Sequence, residues 1–338
     1  MAEISILELV RVTEATDARG ALDNARDLAA HAENWGYRRL WVAEHHNMPG
    51  IASAATSVVL GHIAAGSKRI RIGAGGIMLP NHAPIIIAEQ FGTLARLFPG
   101  RIDLGLGRAP GTDQITVHAL RRTLSGTDSF PQDVVELQGY FEPVMAGQRV
   151  QAVPAAGTSV PLWILGSSTY GAQLAAELGL PYAFASHFAP DLLLPALQVY
   201  RSRFEASAQS DKPHVMVGVN IIAADSDAEA RRLWTTQQMS FTNMFRGARG
   251  LSQPPIDDIE SYWSPMEKAQ AMRMLARSIV GSPETVRAGI KALLGETRAD
   301  ELMIVSDVYD HGARLQSFQL IAAAAEGLTV PAQEEAVA

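Results

Sequence analysis

The chain has 338 residues, 47% hydrophobic and 19% charged, with a formal net charge of −7, which supplies a large core and leaves too little charge for extended disorder. Its 28 Lys and Arg residues are scattered rather than gathered into a run, which argues against nucleic acid or an anionic lipid surface as partner. There is no cysteine, so disulfides, thiolate catalysis, cysteine-ligated zinc and iron–sulfur clusters are excluded together.

The opening MAEISILELV lacks a basic segment followed by an apolar stretch and a cleavage site, and no later apolar run approaches the roughly 20 residues of a membrane span. The expectation is a soluble, cytoplasmic protein. Along the chain, short β-branched runs alternate with stretches of helical period, the pattern of βαβ units. Ile4 to Val10 reads as a strand, Ala21 to Trp35 as a helix closed by Gly36, and Arg39 to Ala43 as the second strand. A helix follows over Ala54 to Ala65, then the strand Ile70 to Met78, a helix from Pro84 to before Pro99, and the strand Ile102 to Leu106. Later strands are read at Pro161 to Leu165, Tyr182 to Ala185, His214 to Ala223 and Glu301 to Val305. These make about eight βα units, the number needed for a single (β/α)8 TIM barrel.

Two stretches exceed the roughly 2–6 residues of an ordinary βα loop: 109–158, with a helix expected from Pro131 to Met145, and about 245–271, with Tyr262 and Trp263 as a possible lid. The expected domain therefore runs over 1–328 with these two insertions, followed by a frayed tail over 329–338.

Ligands of a parallel barrel meet the C-terminal strand ends, and four segments there carry chemistry. In Glu44-His45-His46-Asn47 the three groups alternate across an extended segment, a poor arrangement around one metal ion. A histidine exchanging protons in a cavity and a histidine bonding nearby backbone are both open. Gly73-Ala74-Gly75-Gly76 implies a bulge, an unusual peptide, a flat ligand against bare backbone, or crowded packing. In the run from Leu104 to Gly111, Arg108 sits where a guanidinium can hold phosphate or form an ordinary salt bridge. Its spacing is not a dinucleotide-binding fingerprint. In Gly166-Ser167-Ser168-Thr169-Tyr170-Gly171, an anion site at a helix start and plain N-capping are equally open.

The segments WVAEHHNMPGIAS, RIGAGGIMLPNHAP, AEQFGTLARLFPGRIDLGLGRAPGTD and LGSSTYGAQLAAELGLP closely resemble the bacterial luciferase-like flavin monooxygenase family. The resemblance is dense from about Ile4 to Gly111, resumes over Pro161 to Pro181, and is weaker in DELMIVSDVYDHGARLQSFQL. It implies an FMN-binding barrel, with phosphate at Arg108, Gly166, Ser167, Ser168 and the helix start through Gly171. It also implies a non-proline cis peptide at Ala74-Gly75 beneath the flavin ring, and His45 as the catalytic histidine. The reactive cysteine beside the arginine of the luciferase α subunit is Gly107 here, so no thiol role carries over and light emission is not implied.

The implied reaction uses reduced FMN and dioxygen to oxygenate a small organic substrate, the flavin arriving from a separate NAD(P)H:flavin reductase. Some relatives use the deazaflavin F420 instead, and a homodimer built through early barrel helices is implied as well. Two other readings stand beside it: a sugar-phosphate aldolase or isomerase, disfavoured because none of Lys68, Lys212, Lys268 and Lys291 falls at a strand's active end, and a non-catalytic flavin-binding protein. No metal site is expected, and the substrate is not legible.

Overall fold

A computed structural model describes residues 2–109, 112–121 and 129–331; Pro110 and Gly111 of the arginine motif, and the tail beyond 331, lie outside them. Eight parallel strands close on themselves: β1 (Glu3–Glu8), β2 (Arg39–Val42), β3 (Arg71–Met78), β4 (Ile102–Gly107), β5 (Leu162–Gly166), β6 (Tyr182–Phe184), β7 (Val215–Ala223) and, after the short β8 (Ile279–Gly281), β9 (Glu301–Val305). Neighbours follow chain order from β1 to β7, β7 pairs with β9, and β9 returns to β1. This is a (β/α)8 barrel. Strand β8, absent from the sequence reading, stays outside the closed ring and pairs only with the outer end of β7, Ile221 to Ala223.

The strands are apolar on both faces because both are covered, and every residue of β2 and β7 is buried. Leu40 and Val42 of β2 pack outward in the main core, whereas Trp41 joins Leu7, Trp163, Met216 and Met303 in a second cluster inside the barrel. The outer core receives α1 (Ala18–Asn34), α2 (Thr56–Ala64) and α3 (Pro84–Leu97). Asp17 caps α1 by accepting from the Gly20 amide, and Gly36 takes the left-handed conformation (φ 84°) just past its end.

The long segment after β4 holds α4 (Gln114–Ala119) and α5 (Phe130–Phe141). The expected helix to Met145 stops earlier because Glu142 precedes Pro143 and turns extended (ψ 160°). Next come α6 (Thr169–Glu177), α7 (Leu193–Arg203) and α8 (Asp227–Phe245). The second long segment carries a single 3-10 turn over Ile259–Ser261 before α9 (Pro265–Met274). Helices α10 (Pro283–Thr297) and α11 (His311–Ala325) complete the ring. Among the described residues no helix is long and apolar enough to cross a membrane.

The N-terminal end of the barrel is plugged by buried charge. Arg39 donates from Nε to Glu301 and from Nη1 to Asp103, both at 2.7 Å, and its guanidinium lies over the Trp163 ring at 4.9 Å. Arg71 and the Trp41 indole also donate to Asp103, while Ser5 and His214 approach Glu301. Arg39 is thus paired on both sides, as a buried charge must be, while Glu301 Oε2 and His214 Nε2 face each other at 3.5 Å without a hydrogen bond. The plug leaves the opposite end as the open mouth.

Candidate active site

A cavity of about 550 Å3 opens at the C-terminal strand ends, within the roughly 300–1,000 Å3 of small-molecule sites. Its floor is the upper surface of the inner cluster, Leu7, Trp41, Met216 and Met303. Among its described lining residues are Arg11, Arg108 and Arg249 but no carboxylate. Arg11 is tied to Asp307 at 2.8 Å.

Strand β3 contributes Gly75 and Gly76 to the wall. The non-proline cis peptide lies at Gly75–Gly76, one bond beyond the expected Ala74–Gly75, and the register against β4 shifts between Ala74 and Ile77. Ala74 is not a lining residue. Strand alternation places it with Ile72 in the outer core, fully buried towards the helices. The glycines answer crowding inside the barrel rather than a packed helix: a Cβ at Gly75 would come within 2.9 Å of Leu7 and 3.0 Å of Trp41, and one at Gly76 within 2.7 Å of the Gly105 carbonyl.

Arg108 emerges from the end of β4, with its guanidinium carbon 4.1 Å from the ring centre of Tyr170 in the first turn of α6. Ser168 is the N-cap residue of that helix but makes no side-chain capping bond, so plain capping does not account for the serines. A Cβ on Gly166 would press to 3.2 Å from the Tyr182 hydroxyl, whereas one on Gly171 would meet only ordinary contacts. Arg108, Gly166, Ser167, Ser168 and Gly171 all line the cavity. They bring together a cation, two hydroxyls and a helix N-terminus, the components of an anion site.

The Glu44-His45-His46 trio separates. Glu44 is buried and accepts from the Met78 amide at 3.0 Å, and it bonds His46 at 2.7 Å and His82 at 2.9 Å. Burial raises its pKa, but the bonds from His82, His46 and Met78 outweigh that and hold it below the usual range. The carboxylate thus pins the ends of β2 and β3, while His45 alone of the trio lines the cavity. No cluster among the described residues has the makings of a metal site.

His187, which no motif in the sequence singles out, lines the same cavity just beyond β6. Burial, reinforced by nearby His45, pushes its imidazole down to about 4, so it is neutral at pH 7. The available signal was its place in AFASHF, directly after a strand's C-terminal end.

The roof comes from α8 and the segment after it, through Phe241, Met244, Asn243 and Gln253. Tyr262 and Trp263, expected as lid residues, do not line the cavity. The Tyr262 hydroxyl instead bonds Asn243 at 2.8 Å and Gln253 at 3.0 Å, bracing the roof from behind, and Trp263 donates to Glu260 at 3.3 Å.

An apolar cavity at the C-terminal mouth of a (β/α)8 barrel, with a cation, two hydroxyls and a helix start along one edge, is an arrangement suited to small-molecule chemistry. The profile of the luciferase-like monooxygenases matches residues 2–301, and the chain belongs to that family. It is 53% identical over 317 residues to a luciferase-like monooxygenase of Escherichia coli K12, covering 94% of this chain and 95% of that one. Among solved structures it is similar to apo-MsnO8, with a TM-score of 0.86 and 32% identity over 98% of this chain and 100% of that one. The fold is shared at 18% identity and a TM-score of 0.73 with the oxygenating constituent of 3,6-diketocamphane monooxygenase from Pseudomonas putida in complex with FMN, over 98% of this chain and 100% of that one. It is also shared at 14% identity and 0.66 with an F420-dependent secondary alcohol dehydrogenase, over 96% and 98%.

Proposed function

We propose that this protein is an FMN-dependent monooxygenase that accepts reduced FMN from a separate reductase and, with dioxygen, oxygenates a small, mainly apolar organic molecule. The observation that carries this reading is the convergence of Arg108, Ser167, Ser168 and the uncapped start of α6 on one edge of the cavity. A phosphate is the group such a set suits. The bare backbone of Gly75 and Gly76 beside it leaves room for a flat ring.

Bound reduced FMN supplies the two electrons for oxygen chemistry. The chain's own residues supply the rest. Arg108 and the serines hold the phosphate, and Gly75 and Gly76 offer a wall without side chains. Phe241 and Met244 keep water from the mouth, and His45 exchanges a proton at the cavity edge.

Anaerobic titration of the purified protein with reduced FMN, oxidised FMN and reduced F420, followed by oxygen uptake measurements, tests the reading. Preferential binding of reduced FMN with substrate-dependent oxygen uptake is expected. Selective binding of F420 assigns the other cofactor, binding without oxygen uptake describes a flavin carrier, and no flavin binding at all removes the proposal.

A further inference from the structure

Most of the amide side chains that reach the cavity are already occupied with one another. Asn220 accepts from Gln237 at 2.9 Å, Gln237 in turn accepts from the Trp234 indole at 3.1 Å, and Asn243 donates to Gln253 at 3.2 Å. His187 is different. Its backbone carbonyl is held by Asn220 at 2.5 Å and its ring packs edge-on to Phe188 with centroids 4.8 Å apart. Yet among the described residues its Nδ1 is buried without a hydrogen-bond partner. That nitrogen is sealed against the backbone of Gly218, where even a Cβ would come within 2.5 Å of it.

A neutral imidazole carries one proton. On Nδ1 it would be an orphaned buried donor, costlier than an unsatisfied lone pair, so it belongs on Nε2, the nitrogen left to face the cavity. We infer that His187 is a specificity-determining residue that donates from Nε2 to a carbonyl-type oxygen of the substrate, and that the substrate is a mainly apolar molecule that bears such an oxygen and no cationic group. The inference deepens the oxygenase reading and rests on it for the word substrate. The lining explains the rest of the class: an ammonium group would enter a cavity that holds arginines and, among its described residues, no carboxylate.

The test uses the full chain with three probes of one shape, acetophenone, ethylbenzene and 1-phenylethylammonium, and reads affinity by ligand-observed NMR with and without FMN. Acetophenone is expected to bind roughly fivefold to tenfold more tightly than ethylbenzene, the worth of one neutral hydrogen bond, and the cation most weakly. His187→Phe is expected to abolish the ketone preference, and His187→Gln, which keeps a donor, to retain it. Reduced-FMN affinity is expected to stay within about twofold in both variants.

Nitrogen shifts of 15N-histidine-labelled protein report the tautomer without any substitution, and a proton on Nε2 is expected. Equal binding of ketone and hydrocarbon overturns the inference. So does a preference that survives in His187→Phe, a proton on Nδ1, or loss of flavin rather than ketone in the variant. If no flavin binds while the ketone preference and its dependence on His187 persist, the cofactor reading falls and the recognition role of His187 stands.

Discussion

At the N-terminal end of the barrel Arg39 meets two carboxylates at 2.7 Å and is itself 6% exposed, whereas at the C-terminal end Arg108 is exposed, rests on the Tyr170 ring and sits in a lining with no carboxylate among its described residues. The same residue type serves two purposes. Where fixed acceptors saturate the guanidinium in low dielectric, its worth is architectural and its loss strands charge. Where the guanidinium lies exposed at the rim of a cavity, on an aromatic face, it is within reach of a ligand entering from solvent.

The largest effect is expected at the floor. Among the described residues, Arg39→Met leaves the buried Glu301 with Ser5 and His214 as its polar side-chain neighbours, a loss of about 3–5 kcal/mol by analogy with other broken buried pairs, read by urea unfolding. Adding Glu301→Leu is expected to recover part of that loss by removing the stranded charge. A cost below about 1 kcal/mol for the single variant would place the floor among ordinary surface pairs.

At the mouth the expectation inverts: Arg108→Ala weakens reduced FMN by roughly 10- to 100-fold, the worth of charge-assisted bonds to phosphate, yet changes stability by no more than about 0.5 kcal/mol. Unchanged flavin affinity would break the contrast between the two ends.

Between them lies the glycine pair of β3. Gly76→Ala drives a Cβ against the Gly105 carbonyl, which is backbone and cannot step aside, at a cost of about 1–3 kcal/mol. Gly75→Ala meets the end of Leu7 first, a side chain that can rotate, and is expected to cost less. The reverse order in urea unfolding would show that the crowding lies on the other face.

How much of this was legible in the chain follows from which interactions are local. The eight barrel strands announced themselves as apolar runs between turn residues, and β8 did not, because three residues with a part-buried start carry no period. Arg108, Ser167 and Ser168 were readable as strand-end residues. The displacement of the cis peptide to Gly75–Gly76 was not, since the inward face of β3 is fixed by Trp41 and Leu7 on other strands. Tyr262 reads as a lid from its aromatic neighbour, but the partners of its hydroxyl, Asn243 and Gln253, lie 19 and 9 residues away. His187 has no neighbouring glycine or charge to mark it, and its isolation against Gly218 exists only in three dimensions.

The smallest expected effect separates floor from mouth by pH. Burial raises Glu301 but Arg39 chiefly, then His214 and Ser5, bring it from 4.5 to about 2. A depressed carboxyl contributes stability above pH 4.5 that is lost as pH falls towards 2. His187 is depressed from 6.5 to about 4 by burial and then by His45. For a histidine the consequence is that the unfolded chain takes up its proton first, so stability falls as pH drops from 6.5 towards 4 and this group adds nothing further below that. Acid therefore acts on the mouth before the floor. Between pH 6.5 and 5.5 the histidine's share is at most about 1 kcal/mol, since one pH unit is worth about 1.4 and the ring is only part-buried. Urea midpoints of the wild type and His187→Phe at pH 7, 5.5, 4.5 and 3.5 resolve it. The variant is expected to lose less stability than the wild type down to pH 4.5 and to decline in parallel with it below pH 4. Curves that run parallel from pH 7 downwards would mean that His187 titrates alike in both states and does not separate mouth from floor.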